Sequence, residues 1–173
     1  MPDLGDPPAD AAELVKVLTD RGKMIAVAES CTAGLVADMI ARVPGASKVL
    51  WGSFVTYTAD AKTKMLGVTK GLIEAHGAVS SPVALAMAEG ALERSGASWA
   101  VSITGLAGPG GEGAPVGTVW IGLAGRAGAG TRPRSEAKRF FFKGSRNEVR
   151  AAAAAAALNE LLRKILTAEE FLV

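Results

Sequence analysis

Apolar and polar positions along the chain change period several times, and each change predicts an element. Leu14, Val15 and Leu18 recur at helical spacing after Asp10, which predicts a helix over 11–21 with Asp10 as its cap and Gly22 as its stop. Met24–Ala28 is a short unbroken apolar run and reads as a buried strand. The polar residues Glu29-Ser30-Cys31-Thr32 follow at once, and helical spacing resumes from Ala33 to Arg42 before Pro44-Gly45 stops it. Residues 49–58 are β-branched and aromatic, a second strand. Short helices follow over 59–66, closed by Gly67, and over 70–76. Ser81-Pro82 opens a longer helix to Ser95, with proline in its first turn. Strands are predicted over 99–104, 118–124 and 135–142, and Ser145 caps a last helix running to Thr167. Residues 1–9 read as a disordered lead-in, leaving 10–173 as one domain.

Strands alternate with helices in the first half and follow one another in the second. That order predicts an α/β fold, a single-domain three-layer α/β/α sandwich around a mixed sheet. The length of 173 residues suits one domain of this kind.

Composition then narrows the chemistry. The chain has one Cys, one His and one Tyr: Cys31, His76 and Tyr57. A lone Cys excludes an intramolecular disulfide and a Cys-rich zinc site, and a lone His excludes any centre that needs two. His76 stands before Gly77 at the end of a predicted helix, an ordinary terminal placement. The net charge of +2 is unevenly spread: residues 126–150 carry eight Arg and Lys against two Glu. Such a stretch suits a phosphate-bearing ligand or simply a solvated face. No apolar run is long enough for a transmembrane helix, and the acidic, Pro-rich start is unlike a secretory signal, so no membrane association and a cytoplasmic location are expected.

Gly108-Pro109-Gly110-Gly111-Glu112-Gly113 matches the spacing of a dinucleotide fingerprint, but Pro115 and a strand follow it instead of a helix. Without a helix N-terminus to receive a pyrophosphate it reads as a loop, either plain surface or a lid. Glu29-Ser30-Cys31-Thr32 is more informative. A serine between a strand and a helix lies beside backbone N–H groups, here those of Cys31 and Thr32, able to hold a developing oxyanion. The same residues would also serve as ordinary helix caps, and Cys31 competes with Ser30 as nucleophile. Tyr57-Thr58-Ala59-Asp60-Ala61-Lys62 places a lysine just after a strand, where desolvation would lower its pKa toward that of a useful base. Lys64 is an equal candidate on spacing alone.

Five segments occur in an order that resembles one family. They are Ala28-Glu29-Ser30-Cys31-Thr32, Val55-Thr56-Tyr57 with Ala61-Lys62 and Met65–Val68, Gly77-Ala78-Val79-Ser80, Thr104–Pro109, and Pro115-Val116-Gly117-Thr118-Val119. Over residues 10–167 the chain resembles the C-terminal domain of the competence/damage-inducible protein CinA, a domain also found as a standalone nicotinamide-nucleotide amidase. The resemblance implies a serine amidohydrolase that converts the carboxamide of nicotinamide mononucleotide to nicotinate mononucleotide and ammonia, in pyridine-nucleotide recycling. It implies no cofactor and no metal, a small-molecule nucleotide as substrate, and leaves room for a homodimer.

Carried over, Ser30 is the nucleophile, Lys62 its base, and Tyr57 belongs to the network between them. Cys31 and Thr32 supply the oxyanion amides, Thr104 and Gly105 line the site, and Arg146 binds substrate or organises the site. The family often has Gly-Gly where this chain has Ala33-Gly34, and Asn where it has Ala59. A non-catalytic binding domain linked to competence or DNA damage is the alternative. Nucleic acid is not the expected partner, since Phe140–Phe142 are the only aromatics in the basic stretch.

Overall fold

The structure, a computed structural model, describes residues 6–110, 113–126 and 133–167. Helix α1 (Ala9–Asp20) starts inside the segment expected to be a disordered lead-in; residues 1–5 of that segment lie outside the described residues. Pro8 takes the N-cap position, so Asp10 is not the cap expected of it and sits within the first turn. There its carboxylate still faces the positive end of the helix.

Strand β1 (Ile25–Glu29) is wholly buried. Helix α2 (Leu35–Ala41) follows, then β2 (Leu50–Val55), α3 (Ala59–Leu66), α4 (Lys70–His76), α5 (Ser81–Ser95), β3 (Trp99–Gly105), β4 (Thr118–Gly125), β5 (Arg134–Phe141) and α6 (Arg146–Thr167). The five strands form one sheet in the order β2-β1-β3-β4-β5. β1 runs parallel to β2 and β3, while β4 and β5 continue antiparallel. The mixed sheet of an α/β fold is therefore present as expected.

Side-chain alternation along the strands feeds two cores. Ile25, Val27, Val101, Ile103, Val119, Ile121 and Leu123 face α1, α2 and α6. Ala26, Ala28, Ala100 and Ala124 face α5 and Leu66 of α3. The residues toward α5 are small, so that helix lies close to the sheet: the Ser102 hydroxyl donates to the Ala84 carbonyl at 2.6 Å. A Cβ added at Gly122 would come within 2.5 Å of the Ala84 oxygen. The Ala-rich part of α6 plays the same part on the other face, where Ala153, Ala154 and Ala157 are fully buried. Ser145 and Glu148 open α6 with reciprocal contacts, Ser145 N–H donating to the Glu148 carboxylate at 2.7 Å and Glu148 N–H reaching the Ser145 hydroxyl at 3.5 Å.

Two shifts of predicted boundaries shape the site. The second strand ends at Val55, not residue 58, so Thr56, Tyr57 and Thr58 leave the sheet before α3. The helix expected from Ala33 begins at Leu35, because Ala33 (φ 53°) and Gly34 (φ 99°) are left-handed and hold residues 31–34 in a turn. The chain crosses from β1 to β2 by one face of the sheet and reaches β3 by the other. The carboxyl ends of β1, β2 and β3 thus meet at a topological switch point, where open α/β sheets place their ligands.

Candidate active site

Ser30, Thr56 and Thr104 come together at that edge, one from each parallel strand end. Ser30 follows β1 and its N–H donates to the Ile103 carbonyl of β3 at 2.9 Å. Lys62 reaches it from α3. Its Nζ lies 2.9 Å from Ser30 Oγ and donates to the Thr56 carbonyl at 2.9 Å. The side chain is only 2% exposed. Burial lowers its pKa from 10.5 to about 8. The Thr58 hydroxyl caps α3 by accepting from the Ala61 N–H at 3.1 Å, which fixes the turn that carries Lys62. Lys64, the rival on spacing, points to solvent and pairs with Asp60 at 2.9 Å.

Cys31 is buried, and burial pushes its thiol up to about 11. A thiol held protonated is a poor nucleophile. Lys62 Nζ is thus hydrogen-bonded to Ser30 Oγ, while its neighbour Cys31 is held as a thiol.

Expectation placed Tyr57 between Ser30 and Lys62; the structure places it elsewhere. Its ring is half exposed and its hydroxyl accepts from Arg146 Nη2 at 2.6 Å. Arg146 Nη1 donates to the Gly108 carbonyl, so this guanidinium ties the segment between β2 and α3 to the glycine-rich loop after β3. The Thr104 hydroxyl is turned to the Ala78 carbonyl at 2.8 Å. Gly105 is needed for contact with β4, since a Cβ there would lie 2.7 Å from Val119 Cγ2. Ser30, Cys31, Tyr57, Lys62, Thr104, Gly105 and Arg146 all line one cavity of about 290 Å³, while Thr32, also expected at the site, is fully buried behind Cys31 in the chain and is not part of the lining. Ala78, Val79, Leu106 and Ala107 supply apolar wall. Ala59, where the family often has Asn, also lines it.

Two groups that sequence reasoning did not assign hold the serine turn. Glu29 is fully buried. Its carboxylate accepts from the N–H groups of Gly34 (2.9 Å), Val36 (3.1 Å) and Ala37 (3.1 Å) and from the Ser53 hydroxyl (3.1 Å). The N-terminus of α2 is thereby taken up by an internal carboxylate and does not act on Lys62, whose low pKa comes from burial. Arg150, from α6, donates through Nε to the Cys31 carbonyl and through Nη2 to the Thr32 carbonyl, both at 3.0 Å. Its signal in the sequence was its place one helical turn after Arg146, on the same face.

The rest of the basic stretch is partly engaged within the fold: Lys138 pairs with Glu160 at 2.8 Å. Arg132 lies outside the described residues. Among the described residues no helix is long and apolar enough to cross a membrane.

The CinA C-terminal domain family matches residues 9–165. A CinA-like protein of Anaeromyxobacter dehalogenans is 48% identical over 155 residues, covering 88% of this chain and 36% of that protein. A CinA-like protein of Chlorobaculum tepidum is 47% identical over 154 residues, with the same coverages of 88% and 36%. The chain spans about a third of the length of these relatives. The crystal structure of competence damage-inducible protein A from Klebsiella pneumoniae superposes with a TM-score of 0.86 at 33% identity, covering 94% of this chain and 98% of that one. That of competence/damage inducible protein CihA from Agrobacterium tumefaciens gives 0.80 at 40% identity, with coverages of 92% and 98%.

Proposed function

Since the chain belongs to the CinA C-terminal domain family, we propose that it is a serine amidohydrolase that hydrolyses the carboxamide of nicotinamide mononucleotide to nicotinate mononucleotide and ammonia. The observation that carries this reading is the buried contact of 2.9 Å between Lys62 Nζ and Ser30 Oγ. A lysine desolvated to a pKa of about 8 is neutral in about a tenth of molecules at pH 7 and in about half at pH 8, where an ordinary lysine is almost wholly charged, and its neutral form is able to accept a proton.

In the neutral form Lys62 accepts the Ser30 Oγ–H proton and keeps its own donation to the Thr56 carbonyl. Ser30 Oγ attacks the carboxamide carbon, and the carbonyl electrons move onto oxygen. The Lys62 ammonium then protonates the leaving nitrogen, the C–N bond breaks, and ammonia departs from an acyl ester on Ser30. Water, deprotonated by the now neutral Lys62, attacks that ester; carboxylate leaves and Ser30 recovers its proton from Lys62. Ser30 and Lys62, which carry the proton transfers, both line the cavity. The apolar wall of Ala78, Val79 and Leu106 suits an aromatic ring, and Arg146 suits the phosphate. A cavity of about 290 Å³ lies at the lower limit of the roughly 300–1,000 Å³ that small-molecule sites use.

The test is ammonia release from nicotinamide mononucleotide by the purified chain without added metal, across about pH 6–9, the range that spans the Lys62 titration. Free nicotinamide and its riboside are run alongside. Release that is fastest from the mononucleotide supports the reading. No release from any of them, while a characterised amidase is active in the same buffer, refutes it.

A further inference from the structure

The turn after Ser30 contains a run of N–H groups, and nearly all are taken. Ser30 donates to Ile103, Ala33 to Ser30 O at 3.1 Å, and Leu35 to Thr32 O at 3.3 Å. Gly34, Val36 and Ala37 donate to Glu29. Among the described residues, only the N–H groups of Cys31 and Thr32 in this run have no carbonyl or carboxylate partner, and the Cys31 N–H faces its own thiol. Those two adjoin the nucleophile, where an acyl-transfer oxyanion needs donors.

What aims them is not local. In a trans peptide the carbonyl of one residue and the N–H of the next point in opposite directions. The peptides of this turn are trans. Arg150 Nε holds the Cys31 carbonyl, so the Thr32 N–H points away from Arg150. Arg150 Nη2 holds the Thr32 carbonyl, which turns the Ala33 N–H the opposite way, onto the Ser30 carbonyl. The Ser30 carbonyl so fixed sets the direction of the Cys31 N–H. The backbone needs such a hold, because Ala33 occupies the left-handed region, which costs a residue with a Cβ about 1–2 kcal/mol. Asn147 in turn accepts from Arg150 Nη1 at 3.2 Å and orients the guanidinium.

We infer that Arg150 is a positioning residue of the reaction: by gripping the Cys31 and Thr32 carbonyls it aims the Cys31 and Thr32 N–H groups as the oxyanion donors. The inference takes its substrate from the amidase reading above, but the aiming serves any acyl transfer at Ser30. Lysine cannot replace arginine here, since a single ammonium lacks the planar fork that meets two carbonyls at once.

Arg150→Gln and Arg150→Lys, each with the far-UV spectrum and melting curve of the native chain, are compared in two assays. The first is steady-state ammonia release from nicotinamide mononucleotide. The second is the rate at which a fluorophosphonate labels Ser30, which needs the nucleophile and the oxyanion donors but no amide. The expected result is a fall in kcat of about 100-fold in Arg150→Gln, in line with the loss of an aimed oxyanion donor, with KM within about threefold. Labelling slows in parallel, Arg150→Lys restores little, and added guanidinium ion restores part of kcat in Arg150→Gln. If Arg150→Gln does not fold, Arg150→Lys decides by the same two readouts. Unchanged kcat and labelling, or a loss confined to KM, overturns the inference while leaving the amidase reading intact. A native chain that is labelled at Ser30 in an Arg150-dependent way but releases no ammonia refutes the amidase reading and leaves the inference standing. A native chain that is neither labelled nor active overturns both.

Discussion

Ser30 and Cys31 are neighbours with opposite chemistry, and the difference lies in what reaches each. Lys62 Nζ meets Ser30 Oγ, while the Cys31 thiol is desolvated and pushed up to about 11. Ser30→Ala should therefore abolish ammonia release, and Cys31→Ala should keep at least about a third of kcat; the reverse pattern would make Cys31 the nucleophile. Lys62 predicts both a pH profile and a stability change. Activity should rise with pH as Lys62 loses its proton, with the midpoint of kcat/KM near its pKa of about 8.

The same lowered pKa costs stability. Between about 8 and 10.5 the unfolded chain binds more protons at this residue than the folded one, so stability rises with pH across that window. Below it the penalty is complete, on the order of 3 kcal/mol. Lys62→Met removes the penalty but forfeits two hydrogen bonds of about 1 kcal/mol each, for a net gain of about 1 kcal/mol at pH 7. Urea melts at pH 7 and near pH 10.5 test this: the variant should be the more stable at neutral pH and lose that advantage at alkaline pH. An advantage that is constant with pH would mean that Lys62 is not desolvated.

At the scale of elements, helix ends carry the site. α3, α4 and α5 run from cap to cap as their sequences predict, because Thr58, Thr69 and Ser80 accept from the N–H three residues on. Glycines close α3 and α5 in left-handed conformation. The start of α2 was not readable in the same way. Ala33 is a good helix former by composition, and only the Glu29 carboxylate and the Arg150 guanidinium, acting from outside the segment, explain why it is left-handed. Glu29→Gln tests this. An amide can accept through one oxygen only, and its NH2 would face a backbone N–H. We expect a loss of about 2–3 kcal/mol in chemical denaturation and a fall in kcat as the serine turn shifts. A change below about 0.5 kcal/mol would show that the cap matters little to the turn.

At the scale of the molecule, Lys62 is placed by the contact of α3 with α5. Gly90 of α5 permits it: a Cβ there would come within 2.1 Å of the Leu66 carbonyl oxygen. Gly90→Ala should favour α5 as an isolated helix by about 1 kcal/mol and still destabilise the protein, because α3 must move away. A fall in melting temperature together with a loss of kcat is expected; a rise would mean that α3 is not pressed against α5.

By itself, the sequence determined the order of elements, the mixed sheet and a short set of candidate reactive groups. Hydrophobic period and caps are local properties, and the lone Cys and His removed most alternative chemistry. Tertiary structure alone decided which lysine meets Ser30, where Tyr57 points, and what grips the serine turn. Lys62 and Lys64 are equivalent along the chain; one is buried at Ser30 and the other is paired in solvent only once α3 packs on α5. Arg150 lies far along the chain from the carbonyls it grips. Desolvation and a hydrogen bond between distant residues both depend on what the folded layers exclude and bring together, and neither is written in local spacing.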